Sequence, residues 1–132
     1  MKKSIIIPAR YGSTRFPGKP LAKIAGKTML SRVVELAKQA AEQTDIKTIA
    51  VATEDERIHQ HAEELGIHAI MTSDECQTGS DRVLEAIEKT DPSIEFVFGL
   101  QGDAPFTPVS AIVKMVEAIT NVPSIEVVTP IV

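Results

Sequence analysis

An α/β fold with a three-layer, doubly wound, mostly parallel sheet is predicted by three features of the sequence. Short aliphatic runs recur at 5–7, 48–52, 67–71 and 94–100, segments with apolar residues three and four apart separate them, and the runs are followed by polar or glycine-bearing loops. Strands alternating with helices of about ten to sixteen residues call for crossover connections, which parallel pairing needs and hairpins do not. The right-handed crossover rule then sets the loops after Ile7, Thr53, Met71 and Leu100 along one rim, at the strands' carboxyl ends, where open α/β sheets bind ligands.

The first strand, Ile5 to Pro8, is an aliphatic run closed by a proline. The residues after it are poor in helix formers. Gly12 and Gly18 let the backbone approach an anion, Ser13 and Thr14 bring hydroxyls, and Arg10, Arg15 and Lys19 bring three cations. Charge alone favours a solvated basic loop; the position directly after a strand reverses that preference toward a polyphosphate. It is not a Walker loop, because Gly18-Lys19 is followed by Pro20 rather than a hydroxyl, and it lacks the third glycine of a dinucleotide fingerprint.

Leu21 to Gly26 reads as a connector, and Thr28 to about Gln43 as a helix with Met29, Val33, Leu36, Ala37 and Ala40 inward. Ile46 to Thr53 holds the second strand. Thr53 and Glu56 form a capping box for a helix that turns Ile58, Ala62 and Leu65 inward and stops at Gly66. His59 and His61, two apart, point to different faces and read as surface or packing residues rather than a metal pair. After a third strand, Ile67 to Met71, comes the polar loop Thr72 to Arg82, ahead of a helix with Val83, Ala86 and Ile87 inward. Ser80 suits an N-cap with Asp81 at the positive helix end; equally, Gln77 and Ser80 suit hydrogen bonds to a base or ribose. Cys76 reads as a plain thiol, since no base for it is identifiable.

Ile94 to Leu100, the most apolar strand, runs into Gln101-Gly102-Asp103-Ala104-Pro105. A carboxylate at the end of a buried strand, beside a glycine, is placed to hold the magnesium of a nucleotide; a turn aspartate before Pro105 is the plainer alternative. Pro108 to Thr120 is the last helix, with Ile112, Met115, Val116 and Ile119 on one face, and Glu126 to Val132 opens a further strand.

Composition sets the class. With 132 residues, 43% hydrophobic content and no repeat or low-complexity tract, one core-forming domain is expected. A net charge of −4 speaks against nucleic acid as a partner, so the cations near the N-terminus stand out against their surroundings. The single cysteine rules out an internal disulfide, no leader is visible, and no apolar run approaches eighteen residues, so a cytoplasmic chain without membrane insertion is expected.

The run Ile7-Pro8-Ala9-Arg10-Tyr11-Gly12-Ser13-Thr14-Arg15-Phe16-Pro17-Gly18-Lys19-Pro20-Leu21 closely resembles the N-terminal signature of the sugar-activating nucleotidyltransferases, above all the 3-deoxy-manno-octulosonate (KDO) cytidylyltransferases. Gln77-Thr78-Gly79-Ser80 with Arg82 is similar to the family's Gln-Ser-Gly-Thr-x-Arg, and Gln101-Gly102-Asp103-Ala104-Pro105 to its Gln-Gly-Asp-Glu-Pro. Cys76 stands where the family commonly has histidine, and Ala104 where it has glutamate.

The resemblance implies a nucleotide-diphospho-sugar transferase-like fold and CMP transfer from CTP to the anomeric hydroxyl of a sugar acid, KDO first, for lipopolysaccharide synthesis. It implies Mg2+ on Asp103, phosphates held by Arg10, Arg15 and Lys19, a nucleoside facing Pro8, Ala9, Gln77, Ser80 and Gln101, and Ser13 as a further nucleotide-binding residue. Arg10, Lys19 and Asp103 would carry catalysis. Residues 1–132 would be the nucleotide-binding part of a homodimeric enzyme truncated at its C-terminus, with the acceptor-binding and dimer-forming region beyond Val132. A CMP-acylneuraminate synthetase, whose relatives show Arg-Gly-Gly-Ser at the first loop, and an inactive nucleotide-binding fragment or assembly module are the alternatives.

Overall fold

Strand β1 (Lys3–Pro8) sits in the middle of the sheet, and every residue from Ser4 to Pro8 is buried. The computed structural model describes residues 3–12, 17–76, 78–94, 96–100, 108–118 and 126–128. A 3-10 turn at Lys19–Leu21 leads to a hairpin of two short strands, β2 (Lys23–Ile24) and β3 (Lys27–Thr28). Then follow α1 (Met29–Glu42), β4 (Thr48–Thr53), α2 (Glu56–Glu64), β5 (His68–Met71), α3 (Gly79–Thr90), β6 (Phe96–Gly99), α4 (Val109–Ala118) and β7 (Glu126–Val128).

The five long-range strands pair in parallel in the order β5-β4-β1-β6-β7. Alternation decides the two faces. Ile5, Ile7, Val51, Phe96 and Phe98 join the buried faces of α1, α2 and α4, while Ile6, Ala50, Ala52, Ile70 and Val97 join that of α3. Phe96 and Phe98 are fully buried, each contributing roughly 1.5–3 kcal/mol of apolar burial. This is the three-layer, doubly wound arrangement the sequence predicts. One connection departs from the right-handed rule: Ile112 and Val116 draw α4 into the cluster of α1, so β6–α4–β7 has the opposite hand to β1–α1–β4.

The strands end together. Pro8 lies opposite Ala52, Thr53 opposite Met71 and Ile6 opposite Gly99. The ladders run one bond further as the Ala9, Thr72 and Leu100 amides donate to the Ala52, Thr53 and Ile6 carbonyls at 2.9, 2.9 and 3.0 Å. The carboxyl ends of β1, β4, β5 and β6 therefore share the predicted rim. Strand order reverses between β1 and β6, which makes their carboxyl ends the switch-point crevice where this architecture takes ligands.

Four local expectations are corrected. The α2 cap is Asp55, not Thr53: Thr53 stays paired in β4, and the Asp55 carboxylate accepts from the Arg57 and Ile58 amides at 2.8 and 3.3 Å. The α3 cap is Thr78, not Ser80; its hydroxyl accepts from the Asp81 amide at 3.0 Å, leaving Ser80 exposed inside the first turn. The buried stripe of α1 is Leu30, Val33, Val34, Ala37 and Ala40, with Met29 and Leu36 at its margin. The connector Leu21 to Gly26 contains the 3-10 turn's end and most of the small hairpin, whose turn needs positive φ at Ala25 (52°) and Gly26 (85°).

Candidate functional site

The first loop leaves the sheet at Pro8 and Ala9, both buried, and reaches the surface at Arg10. The Ala9 N–H is spent on Ala52 and Pro8 has none, so the backbone polar groups these two residues bring to the rim are carbonyl oxygens. The loop closes on itself: the Gly18 amide donates to the Tyr11 carbonyl at 2.8 Å, and Lys19 follows at the start of the 3-10 turn. Gly18 has φ 72°, and a Cβ there would lie 2.7 Å from Cε2 of Tyr11. Only glycine meets both conditions without strain. Arg10 and Lys19 thus stand at the two ends of one closed loop.

That loop is held from the next strand. Glu54, directly after β4, accepts the Tyr11 and Gly12 amides at 3.1 and 3.4 Å on its two carboxylate oxygens. The Arg57 guanidinium lies over the Tyr11 ring, 3.5 Å from its centroid. Arg57 is itself oriented by Asp55, donating through Nε to Oδ1 at 3.1 Å and through Nη2 to Oδ2 at 2.8 Å. The hydrogen bond from Arg57, with amide donors behind it, holds the Asp55 carboxyl below its ordinary range, and Asp55 raises the guanidinium in return.

The loop after β5 is held from α3. Arg82 is only 3% exposed, and its Nη1 donates to Thr72 Oγ1 at 2.6 Å and to the Ser73 carbonyl at 3.1 Å. Glu85, one turn on, accepts the Ser73 amide at 2.6 Å and pairs with Lys89 at 3.3 Å. The Ser73 amide, then Lys89, keeps the Glu85 carboxyl below its usual value. Burial, with the nearby Glu85 carboxylate behind it, pushes the Cys76 thiol up, which agrees with a thiol that is not a nucleophile.

Among the predicted site residues, Pro8, Ala9, Arg10 and Lys19 are brought together by one loop, and Ser80 lies on the same rim at the start of α3. Ser13, Arg15, Gln77, Gln101 and Asp103 lie outside the described residues. His59 faces Glu63 at 3.2 Å and His61 bonds Thr28 Oγ1 at 2.7 Å, so the two serve different neighbours, as their spacing predicts. Among the described residues, no group of three His, Cys, Asp or Glu side chains is arranged to hold a metal ion, and no helix is long and apolar enough to cross a membrane.

Sequence reasoning missed the braces. Arg82 had a visible signal, since 82, 83, 86 and 87 form one inward stripe and a charge on such a stripe must find partners. Glu54 and Arg57 had none, because their partner, Tyr11, is remote in the chain and is met only through the β1–β4 pairing. A cavity of about 350 Å³ opens at the other end of the sheet, lined by Ser4, Ile6, Thr48, Ala50, His68 and Asp91 among others. Its floor is apolar and it lies away from the rim, so the candidate site is the crevice and not this cavity.

A family model described as cytidylyltransferase matches residues 4–132. Over 130 residues the chain is 42% identical to the 3-deoxy-manno-octulosonate cytidylyltransferase of Chlamydia trachomatis serovar L2, covering 98% of this chain and 50% of the relative. Over 115 residues it is 47% identical to the enzyme of the same name from Anaeromyxobacter sp. strain K, covering 87% and 46%. A solved CMP:2-keto-3-deoxy-manno-octonic acid synthetase complexed with CTP superposes with a TM-score of 0.81 at 36% identity, over 90% of this chain and 47% of that one. The chain spans about half the length of the curated relatives it matches.

Proposed function

The chain belongs to the cytidylyltransferase family, and from that premise we propose that it forms the nucleotide half of an enzyme transferring CMP from CTP to the anomeric hydroxyl of a sugar acid, with KDO as the acceptor. The observation that carries the reading is the closed loop from Ala9 to Lys19 at the β1–β6 switch point, with Arg10 and Lys19 at its two ends. The names of the relatives and the CTP complex among the solved neighbours support the choice of nucleotide and acceptor.

In this reading the sugar hydroxyl attacks the α-phosphorus, a new P–O bond forms, and the bond to the β-phosphate breaks as pyrophosphate leaves. No protein nucleophile is needed; positioning and charge neutralisation carry the chemistry. Arg10, Arg15 and Lys19 grip the β- and γ-phosphates and stabilise the leaving pyrophosphate. The carbonyls of Pro8 and Ala9 suit an exocyclic amino donor, which cytosine has and uracil lacks, while Ser13, Gln77, Ser80 and Gln101 serve the rest of the nucleotide. Asp103 is the carboxylate for magnesium, an ion that takes one or two carboxylates and completes its shell with phosphate oxygens and water. When bound, it supplies neutralisation of triphosphate charge. A homodimer in the cytoplasm, feeding lipopolysaccharide synthesis, completes the proposal.

Titration calorimetry of the 132-residue chain with CTP and UTP, each with and without magnesium, tests it. Magnesium-dependent binding of CTP in preference to UTP, weakened about tenfold or more in Lys19→Ala and Asp103→Ala, is the expected result. A folded sample that binds neither nucleotide refutes it.

A further inference from the structure

Tyr11 is fixed on three sides by groups that are not its chain neighbours. Its amide, with that of Gly12, rests on the Glu54 carboxylate; its ring is covered by Arg57; its carbonyl accepts from Gly18, whose missing side chain leaves room for the ring. Both ends of the loop that carries Arg10 and Lys19 are therefore referred to one residue, and that residue is referred to the β4–α2 turn. We propose that Glu54 and Arg57 are positioning residues for the phosphate-binding loop: through Tyr11 they set where Arg10 and Lys19 stand, without touching the nucleotide themselves.

The chemistry of each group fits that role. A carboxylate has two oxygens and only acceptor capacity, so it can take two neighbouring amides at once; a glutamine there would offer one acceptor and set its NH2 against the second amide. A guanidinium stacks flat on a ring while its edge stays engaged with Asp55, which a lysine cannot do. With both amides spent on Glu54, the residue 11–12 backbone offers no donors to a phosphate, so affinity must come from elsewhere in the loop, and from its cations in particular. Their placement is then what the clamp contributes.

The inference rests on the nucleotide reading, and its test separates the two. Tyr11 is the only tyrosine and there is no tryptophan, so tyrosine emission reports on this residue alone. In the nucleotide-free chain, Glu54→Gln should speed amide hydrogen exchange at Tyr11 and Gly12 by about tenfold or more while exchange in β1, β4 and β6 stays as in the wild type. Arg57→Gln should change the tyrosine emission. Both variants should bind magnesium-CTP about five- to tenfold more weakly, with Glu54→Asp in between. Unchanged exchange in Glu54→Gln, together with unchanged emission in Arg57→Gln, overturns the clamp. A loosened loop with wild-type CTP affinity overturns its positioning role. If the wild-type chain binds no CTP, the nucleotide reading fails, and the exchange and emission data still decide whether Glu54 and Arg57 hold Tyr11.

Discussion

Replacing Arg82 by methionine removes the buried α3 cation that braces the loop after β5 while keeping most of its stem. Arg82 is 3% exposed and donates to two buried or half-buried acceptors, Thr72 Oγ1 at 2.6 Å and the Ser73 carbonyl at 3.1 Å. Hydrogen bonds from a charged donor are worth roughly 1.5–3 kcal/mol each, and removal leaves both acceptors to find new donors. Against this stands relief from burying a guanidinium, which offsets part of the loss. The net is a destabilisation of about 2–4 kcal/mol. With a urea dependence of roughly 1–3 kcal/mol/M for a small domain, the unfolding midpoint followed by circular dichroism should fall by about 1–2 M. Methionine fills the same space, so a cavity does not account for the loss. Since Glu85 would then hold Ser73 alone, the exchange of the Ser73 to Cys76 amides should also rise. A midpoint within about 0.3 M of wild type, with protected amides, refutes the brace.

Gly18→Ala meets both a left-handed backbone (φ 72°) and a Tyr11 ring atom at 2.7 Å, so a loss of about 1–3 kcal/mol and a changed tyrosine emission are expected in a thermal melt followed at both signals; a melt unchanged from wild type excludes the strain. The pH dependence of stability follows from Glu85, whose carboxyl is lowered first by the Ser73 amide, and from Asp55 and Asp45, lowered first by hydrogen bonds from Arg57 and Lys3. A lowered folded-state value means stability that is fully present above the ordinary carboxylate range and is lost as pH falls through the lowered one, so stability should decline below about pH 5. Denaturant melts of Glu85→Gln should show a shallower acid limb, and an identical slope would remove Glu85 from the explanation.

Most of the fold was legible because its signals are local and repeated. The aliphatic strands and the three-and-four spacing of Val33, Ala37 and Ala40, or of Ile58 and Ala62, depend on no distant contact. Helix starts were misplaced where two capable residues compete: Thr53 against Asp55, Ser80 against Thr78, the winner being set by where the preceding strand or loop stops pairing. The small hairpin was missed because two-residue strands carry no alternation and Ala25 is an unexpected residue at positive φ. At the site, the residues proposed to meet ligand were visible as a motif. Those that hold the motif were not, since Glu54 and Arg57 carry no signature until β4 is laid beside β1.

The position of β1 has a consequence for how the protein comes into being. The spine of the sheet leaves the ribosome before either of its neighbours, β4 on one side and, through Lys3 opposite Phe96, β6 on the other. Its isoleucines can be sheathed on one edge once β4 has emerged, but the second edge waits for β6, which follows only after α2, β5 and α3. Through that interval a strand carrying three successive isoleucines, with an open row of donors and acceptors, is on offer to any passing partner. Slowing translation between Thr53 and Phe96 should therefore raise chaperone occupancy or aggregation of the nascent chain, even though none of the codons altered would change a residue of the finished molecule.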